Sequence, residues 1–361
     1  MVDSSEVLFK LLRIALGSES DYSLPSCVNW KDVIDMSFEQ GVAALAVDGL
    51  QHIYDLNLDL NLDLDKPELE DLKYEWFGEV MNCEQDYASY AEALKSLCAL
   101  AGSQGIELLL MKGYGLSLNY PIPSHRPCGD IDVRPVGEGR WQQLNDLAAK
   151  TATVEETTEK HSAFEWQGFT VENHRRLLDG FIFKAEEAAE RILEPAGVEA
   201  LATGEGYWTL DAGRNWFYLV CHIAQHFLAD GEMSLRQLLD LALHLDRHRE
   251  EIDVEQCRQW MKATGYGRIN DIMVALSADV TGLDLSAFVF EAPSVSDKER
   301  VMDVVLSRDR KLSFPSGRIA RIGYKLRKMF SGSWKYRYVP MTFRERFRHS
   351  LRLHLERPEL V

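Results

Sequence analysis

The sequence predicts an α/β chain of the α+β kind, a small mixed β-sheet core embedded in N- and C-terminal helical regions. Three observations carry that expectation. Apolar residues recur at three- and four-residue intervals over 5–16, 30–54 and 67–104, and again beyond residue 180, which is the period of amphipathic helices. Ile106–Met111 is a short apolar run with Gly105 and Gly113 on either side, the pattern of a buried strand entering a tight turn. Residues 129–133 and 163–174 alternate polar and apolar, the period of strands. The divisions this suggests are a helical region at 1–82, the α/β core at 83–180, a helical region closing the cleft at 181–307 and a basic segment at 308–361.

In chain order, 5–16 and 30–54 read as amphipathic helices. The Asp-Leu-Asn-Leu run of 55–65 alternates like a strand, but Asp and Asn are poor strand formers and Pro67 opens the next element, so it reads as an acidic surface connection. Leu72, Trp76, Val80, Tyr87, Tyr90, Leu94 and Leu97 make 67–104 one long helix, or two, leading into the Ile106 strand. Lys112, Gly113 and Gly115 end that strand, and Pro121, Pro123 and Pro127 keep the following loop out of helix. A strand over Asp130–Val133 and a helix over 138–150, with Trp141, Leu144 and Leu147 on one face, come next. Between Ala163 and His174 the turn signal Gln167-Gly168 separates two alternating runs, hence a β-hairpin. In its second strand Phe169, Val171 and Asn173 share one side, and Thr170, Glu172 and His174 the other. Further helices are expected at 183–193, at 211–229 with Asp211 as cap, and at 234–249, 254–281 and 296–308.

The strand over Asp130–Val133 is the place that asks for chemistry. Ile131 and Val133 face the core, so Asp130 and Asp132 share the opposite side, about 7 Å apart. Two such carboxylates repel each other unless a cation lies between them, and a hard divalent ion such as Mg²⁺ prefers oxygen ligands. The pair therefore predicts a metal; the plain alternative is two solvated residues on an open sheet face. A third acid is expected nearby, and Glu172 is preferred over Glu165 of the first hairpin strand because Phe169 and Val171 fix its facing.

Leu110-Met111-Lys112-Gly113, Tyr120-Pro121, Arg126 and Gly129-Asp130-Ile131-Asp132-Val133 occur in an order that resembles the uncharacterised bacterial nucleotidyltransferase family. That family falls in the DNA polymerase β-type superfamily, whose pattern is a strand, a glycine turn with a helix, and a strand carrying Asp-x-Asp. Val171-Glu172-Asn173-His174 is similar to the family's apolar-acid-x-His strand. The likeness is close over 108–135 and loose over 30–250. It implies a Mg²⁺-dependent transferase that moves a nucleoside monophosphate from NTP to an acceptor and releases pyrophosphate. Asp130, Asp132 and Glu172 would hold two Mg²⁺ ions, with Mn²⁺ as a substitute. The alternative is a nucleotide-binding or sensing protein that keeps the fold without turnover, because Tyr114 stands where the superfamily usually has Ser or Gly after the turn glycine.

Around this centre, the backbone N–H of Gly113 at the entry of a helix suits a phosphate, although a plain turn glycine would look the same. Ser117 lies one helical turn on. Lys112 and Arg126 would bring charge to the triphosphate, or else act as surface cations or ion-pair partners of Asp130 or Asp132. His174 would orient Glu172, touch the acceptor or pack at the strand end. His222 and His226, four apart, put two imidazoles on one helix face, but Ile223 takes the place of the Glu in His-Glu-x-x-His. A cleft-lining or packing role is preferred to a zinc hydrolase. Arg236 and Asp240 read as a helix pair.

Composition narrows the partners. Six cysteines without CxxC spacing read as reduced thiols, and there is no apolar run of about 18 residues nor a basic-then-apolar start, so a cytoplasmic protein without transmembrane segment is expected. The net charge is −17, yet residues 308–361 hold 15 Lys and Arg against 4 Asp and Glu, which leaves −28 on the preceding 307. An acidic body of that size makes a small molecule or protein a better acceptor than nucleic acid. The basic segment, with Arg318, Arg321, Lys325, Arg327 and Lys328 among apolar residues, would contact an anionic surface or dock on the acidic body of the same chain, the latter being preferred.

Overall fold

The computed structural model describes residues 3–25, 27–56, 70–156, 161–178, 183–194, 201–202, 206–228, 233–307, 323, 327 and 330–348. Most of the acidic 55–65 run and most of the basic C-terminal segment lie outside the described residues.

Three helices open the chain: α1 (Ser4–Ala15), capped by the Asp3 side chain, α2 (Trp30–Glu39), capped by Asn29, and α3 (Ala43–Asp55). The single helical stretch expected over 30–54 is broken, because Gly41 takes a positive φ of 66° that lets the chain turn between α2 and α3. α3 then packs on α1 so closely that a Cβ on Gly49 would sit 2.0 Å from the Leu11 carbonyl oxygen. α4 (Glu70–Gly102) links two cores. Trp76 near its start belongs to a large helical core, whereas Tyr90, Leu94 and Leu97 near its end belong to a smaller core under the sheet.

The sheet has strands β1 (Leu108–Leu110), β2 (Ile131–Pro135), β3 (Glu155–Glu156), β4 (His161–Trp166), β5 (Phe169–His174), β6 (Leu201–Ala202) and β7 (Trp208–Thr209), in the order β3-β4-β5-β2-β1-β7-β6. β2 is antiparallel to β1 and parallel to β5. β4 and β5 form the expected hairpin, and Gln167 at φ 49° with Gly168 at φ 89° closes it as a two-residue turn with both central residues left-handed. Ile131, Val133, Phe164 and Val171 are buried in the smaller core with Leu144 and Leu147 of α6 (Arg140–Ala148), so α4 and α6 cover one face of the sheet. The polar face of β2 and β5 is the other one. At β1 the two faces divide the apolar residues: Leu108 and Leu110 join the smaller core, Leu109 the helical one.

After the hairpin, the α-helices among the described residues are α7 (Phe183–Leu193), α8 (Ala212–Leu228), α9 (Leu235–Arg247), α10 (Val254–Thr264), α11 (Gly267–Thr281) and α12 (Val295–Leu306). Asp211 accepts the Arg214 backbone N–H and caps α8 as expected, and Ser234 with Gln237 forms a capping box on α9. The stretch 254–281 is two helices rather than one, parted at Gly265 with φ 82°. Leu8, Leu12 and Leu45 share the large core with Trp216, Leu239 and Ile272, so helices from both ends of the sequence build one body beside the sheet. No helix among the described residues is long and apolar enough to cross a membrane.

Candidate active site

Pairing of β2 with β5 decides which acids meet. The parallel register aligns Ile131 with Val171, Asp132 with Glu172 and Val133 with Asn173. With Ile131 and Val171 in the core, Asp132 and Glu172 point together to the opposite face. Asp130 lies in the bend just before β2, with its surface open to solvent and its carboxyl partly enclosed by the neighbouring acids. Glu165, the competing third acid, sits opposite Thr170, whose hydroxyl donates to it at 2.9 Å, and is displaced toward the hairpin turn.

The carboxylates differ in environment. Burial pushes the Asp132 carboxyl up, but the Lys112 ammonium at 3.0 Å and the His174 imidazole, whose Nε2 is also 3.0 Å from Oδ1, outweigh it and hold this group below the usual carboxylate range. Asp130 is pushed above its ordinary value by burial and then by the charges of Glu172 and Asp132, against a weaker pull from Lys112. Glu172 is the more open of the central pair, with 23% of its side chain exposed against 5% for Asp132. Its Oε2 is 3.2 Å from His174 Nε2, and its Oε1 is 3.6 Å from Nε2 of His161.

The glycine turn stands beside this cluster. Gly113 adopts φ 66° and ψ −114° and starts the short helix α5 (Tyr114–Ser117). A Cβ there would come within 3.1 Å of the Tyr90 hydroxyl, which itself donates to the Asp130 carbonyl at 3.2 Å. Tyr114, the departure from the usual turn, stacks on Tyr87 with ring centroids 5.0 Å apart and on Tyr90 at 6.0 Å.

Residues 26–282 match the family model described as uncharacterised nucleotidyltransferase. The chain belongs to that family. The match runs from before α2 to the end of α11 and takes in the whole sheet, so the paired acids and the glycine turn of this nucleotidyltransferase fall within it. No curated protein and no solved structure matches the chain.

Some site residues expected from the nucleotidyltransferase sequence are spent inside the protein. Ser117 is fully buried, with its hydroxyl bonded to the Tyr114 carbonyl at 2.6 Å and to the Tyr87 hydroxyl at 3.2 Å. Arg126 is buried too. Its Nε and Nη2 clasp Asp240 of α9 at 2.7 and 2.8 Å, and its Nη1 donates to the Pro127 carbonyl. The partner is thus neither Asp130 nor Asp132, and the charge is already neutralised. Asp240 also accepts from the Tyr120 hydroxyl at 2.9 Å, which replaces the expected pairing with Arg236; that arginine instead reaches the Pro127 carbonyl. The Arg126–Asp240 clasp anchors the proline loop between α5 and β2 to the helical body.

His222 and His226 meet each other on α8, Nε2 to Nε2 at 3.1 Å. Among the described residues the metal-sized group of His, Cys, Asp and Glu is elsewhere, at His161, Glu172 and His174. The alternation that marks the hairpin is plain only from Ala163, whereas β4 starts two residues earlier at His161. Its signal was nevertheless present: a two-residue turn at 167–168 sets Trp166 opposite Phe169 and therefore His161 opposite His174.

His174 also lines a pocket of about 560 Å³ with Leu109, Arg134, Trp141 and Arg175, next to the acids on the same side of β2. Trp141 donates to the Asn173 carbonyl at 2.8 Å, and the Arg175 guanidinium lies 3.9 Å from its ring centroid. The site thus joins a turn, a carboxylate cluster and an adjoining cavity whose walls mix Arg134, Arg175 and Arg191 with Glu138 and Glu194.

Proposed function

We propose that this nucleotidyltransferase moves a nucleoside monophosphate from a Mg²⁺-bound NTP to an acceptor hydroxyl or phosphate and releases pyrophosphate. The observation that carries the reading is the placement of Asp132 directly beside Glu172, with Asp130 at the mouth of the same strand. The donor set fits a hard cation. Asp130 is pushed up by burial and acidic neighbours, the sign of a carboxyl short of positive charge.

Two Mg²⁺ ions, or Mn²⁺ in their place, would be held by Asp130, Asp132 and Glu172 and would supply Lewis-acid charge to the phosphates and the attacking oxygen. The chain's residues do the rest. The backbone N–H of Gly113 cradles phosphate, and Lys112, partly exposed beside Asp132, lends charge to the departing pyrophosphate. His174, fully buried between Asp132 and Glu172, fixes both carboxylates. The acceptor oxygen bonds to the α-phosphorus, the bond from that phosphorus to the bridging oxygen breaks, and a proton from an acceptor hydroxyl passes to Glu172. A small molecule or protein acceptor accords with the acidic body.

Transfer of label from each of four α-labelled NTPs into cell extract, with pyrophosphate measured alongside, tests the reading. Wild-type protein should transfer label and the double substitution Asp130→Ala/Asp132→Ala should not. A second reading, nucleotide binding without turnover, draws on the Tyr114 stack and on the buried Ser117 hydroxyl, which is engaged by the Tyr114 carbonyl rather than by phosphate. It predicts Mg-NTP binding with no pyrophosphate.

A further inference from the structure

We infer that His161, Glu172 and His174 form a binding site for a transition-metal dication of the Mn²⁺ to Zn²⁺ series, a site that shares Glu172 with the carboxylate cluster of Asp130 and Asp132 and adds two imidazole donors to it. The inference goes beyond the transferase reading, since an ion can bind here whether or not NTP is turned over.

The ligand atoms are already assembled. One ligand atom from each of the three residues lies within 4.8 Å of the others, with His174 Nε2 3.2 Å and His161 Nε2 3.6 Å from the two Glu172 oxygens. Metal bonds of about 2.1 Å place neighbouring ligand atoms about 3 to 3.5 Å apart, so only small rotations would close the shell. All three residues sit on strands rather than loops: Glu172 and His174 share a face two residues apart on β5, and His161 faces His174 across the hairpin. The environment grades from the fully buried His174 to His161 and Glu172, which keep 15% and 23% exposure, so the cluster is open on one side. The ion would take the place of the proton that His174 Nε2 shares with Asp132 Oδ1 at 3.0 Å and with Glu172.

Donor chemistry selects the ion. Two imidazoles and one carboxylate favour borderline metals, whereas Mg²⁺ favours oxygen and water. His161 and His174 stand side by side with ring centroids 5.1 Å apart and each faces one oxygen of Glu172, so a single cation there would meet both imidazoles and the carboxylate.

The test uses the full chain, stripped with chelator and without nucleotide, in equilibrium dialysis against Co²⁺ in excess Mg²⁺, with the visible Co²⁺ spectrum as the sign of nitrogen ligation. Wild type should retain about one Co²⁺ per chain, and His161→Ala and His161→Gln should each weaken binding by roughly tenfold or more, the scale expected for a disturbed ligand shell. Displacement of Co²⁺ by Mg²⁺, a wild-type spectrum without nitrogen ligation, or unchanged binding in a folded His161 variant would overturn the inference. Label transfer without a Co²⁺ site removes this inference alone, whereas Co²⁺ binding without label transfer or NTP binding removes the transferase reading alone.

Discussion

Asp132 and Glu172 are direct neighbours in the parallel ladder between β2 and β5, forty residues apart in sequence and joined at one imidazole, His174. Their pairing makes a sharp comparison of glutamates possible. Glu172→Gln should lower label transfer by at least about a hundredfold, the scale of a lost general base, whereas Glu165→Gln should leave it within a few fold. Equal losses in the two variants would place the third acid elsewhere.

Asp130 offers a stability measurement that needs no substrate. Its carboxyl is raised in the folded protein, so ionisation there opposes folding above the ordinary carboxylate range. Asp130→Asn should therefore raise the urea midpoint at neutral pH in metal-free buffer, and added Mg²⁺ should narrow the gap by stabilising wild type more. A lowered midpoint in metal-free buffer would contradict this account.

Gly113 combines a left-handed backbone with a close tyrosine hydroxyl. Gly113→Ala should cost about 1–3 kcal/mol, read as a lower urea midpoint, because both the positive φ and the contact with Tyr90 penalise a Cβ. The same variant should raise the KM for NTP more than it lowers kcat if the turn serves phosphate.

The buried clasp between Arg126 and Asp240 predicts a strong asymmetry between single and double substitutions. Arg126→Met or Asp240→Leu alone should destabilise the fold by about 3–5 kcal/mol, since each strands a buried charge. The double variant should recover much of the loss, measured as a double-mutant cycle in urea.

Acid sensitivity should trace in part to His244 on α9. Burial pushes its imidazole down to about 4, and its Nε2 bonds the Ala212 carbonyl at the start of α8. Since the folded group resists protonation, its contribution is fully present above about pH 6.5 and is lost as pH falls toward 4, by up to about 3 kcal/mol. His244→Gln should flatten the urea midpoint over that window relative to wild type.

Local physics in the chain was enough to specify much of this molecule. The apolar run ending in Lys112 and Gly113 and the Gln167-Gly168 hairpin are written in periods and turn residues that act over a few positions, and the structure has both; the alternating strand is there too, but it starts at Ile131 and leaves Asp130 in the bend before it. Asp211 and the helix it caps were legible for the same reason. The long helices expected over 30–54 and 254–281 are instead divided at Gly41 and Gly265, because an unbroken apolar period does not show where the chain turns back on its own core. Likewise Arg126 and Asp240, more than a hundred residues apart, could not be paired from spacing, and Arg236 looked the nearer partner on one helix face. What tertiary structure alone decided is the company each charge keeps. The parallel β2–β5 register brings Glu172 rather than Glu165 beside Asp132, and the hairpin carries His161 to the same place. Sequence fixes which way a strand residue faces through the two-residue pleat; which strand lies next to it is settled by long-range packing of the sheet against α4 and α6.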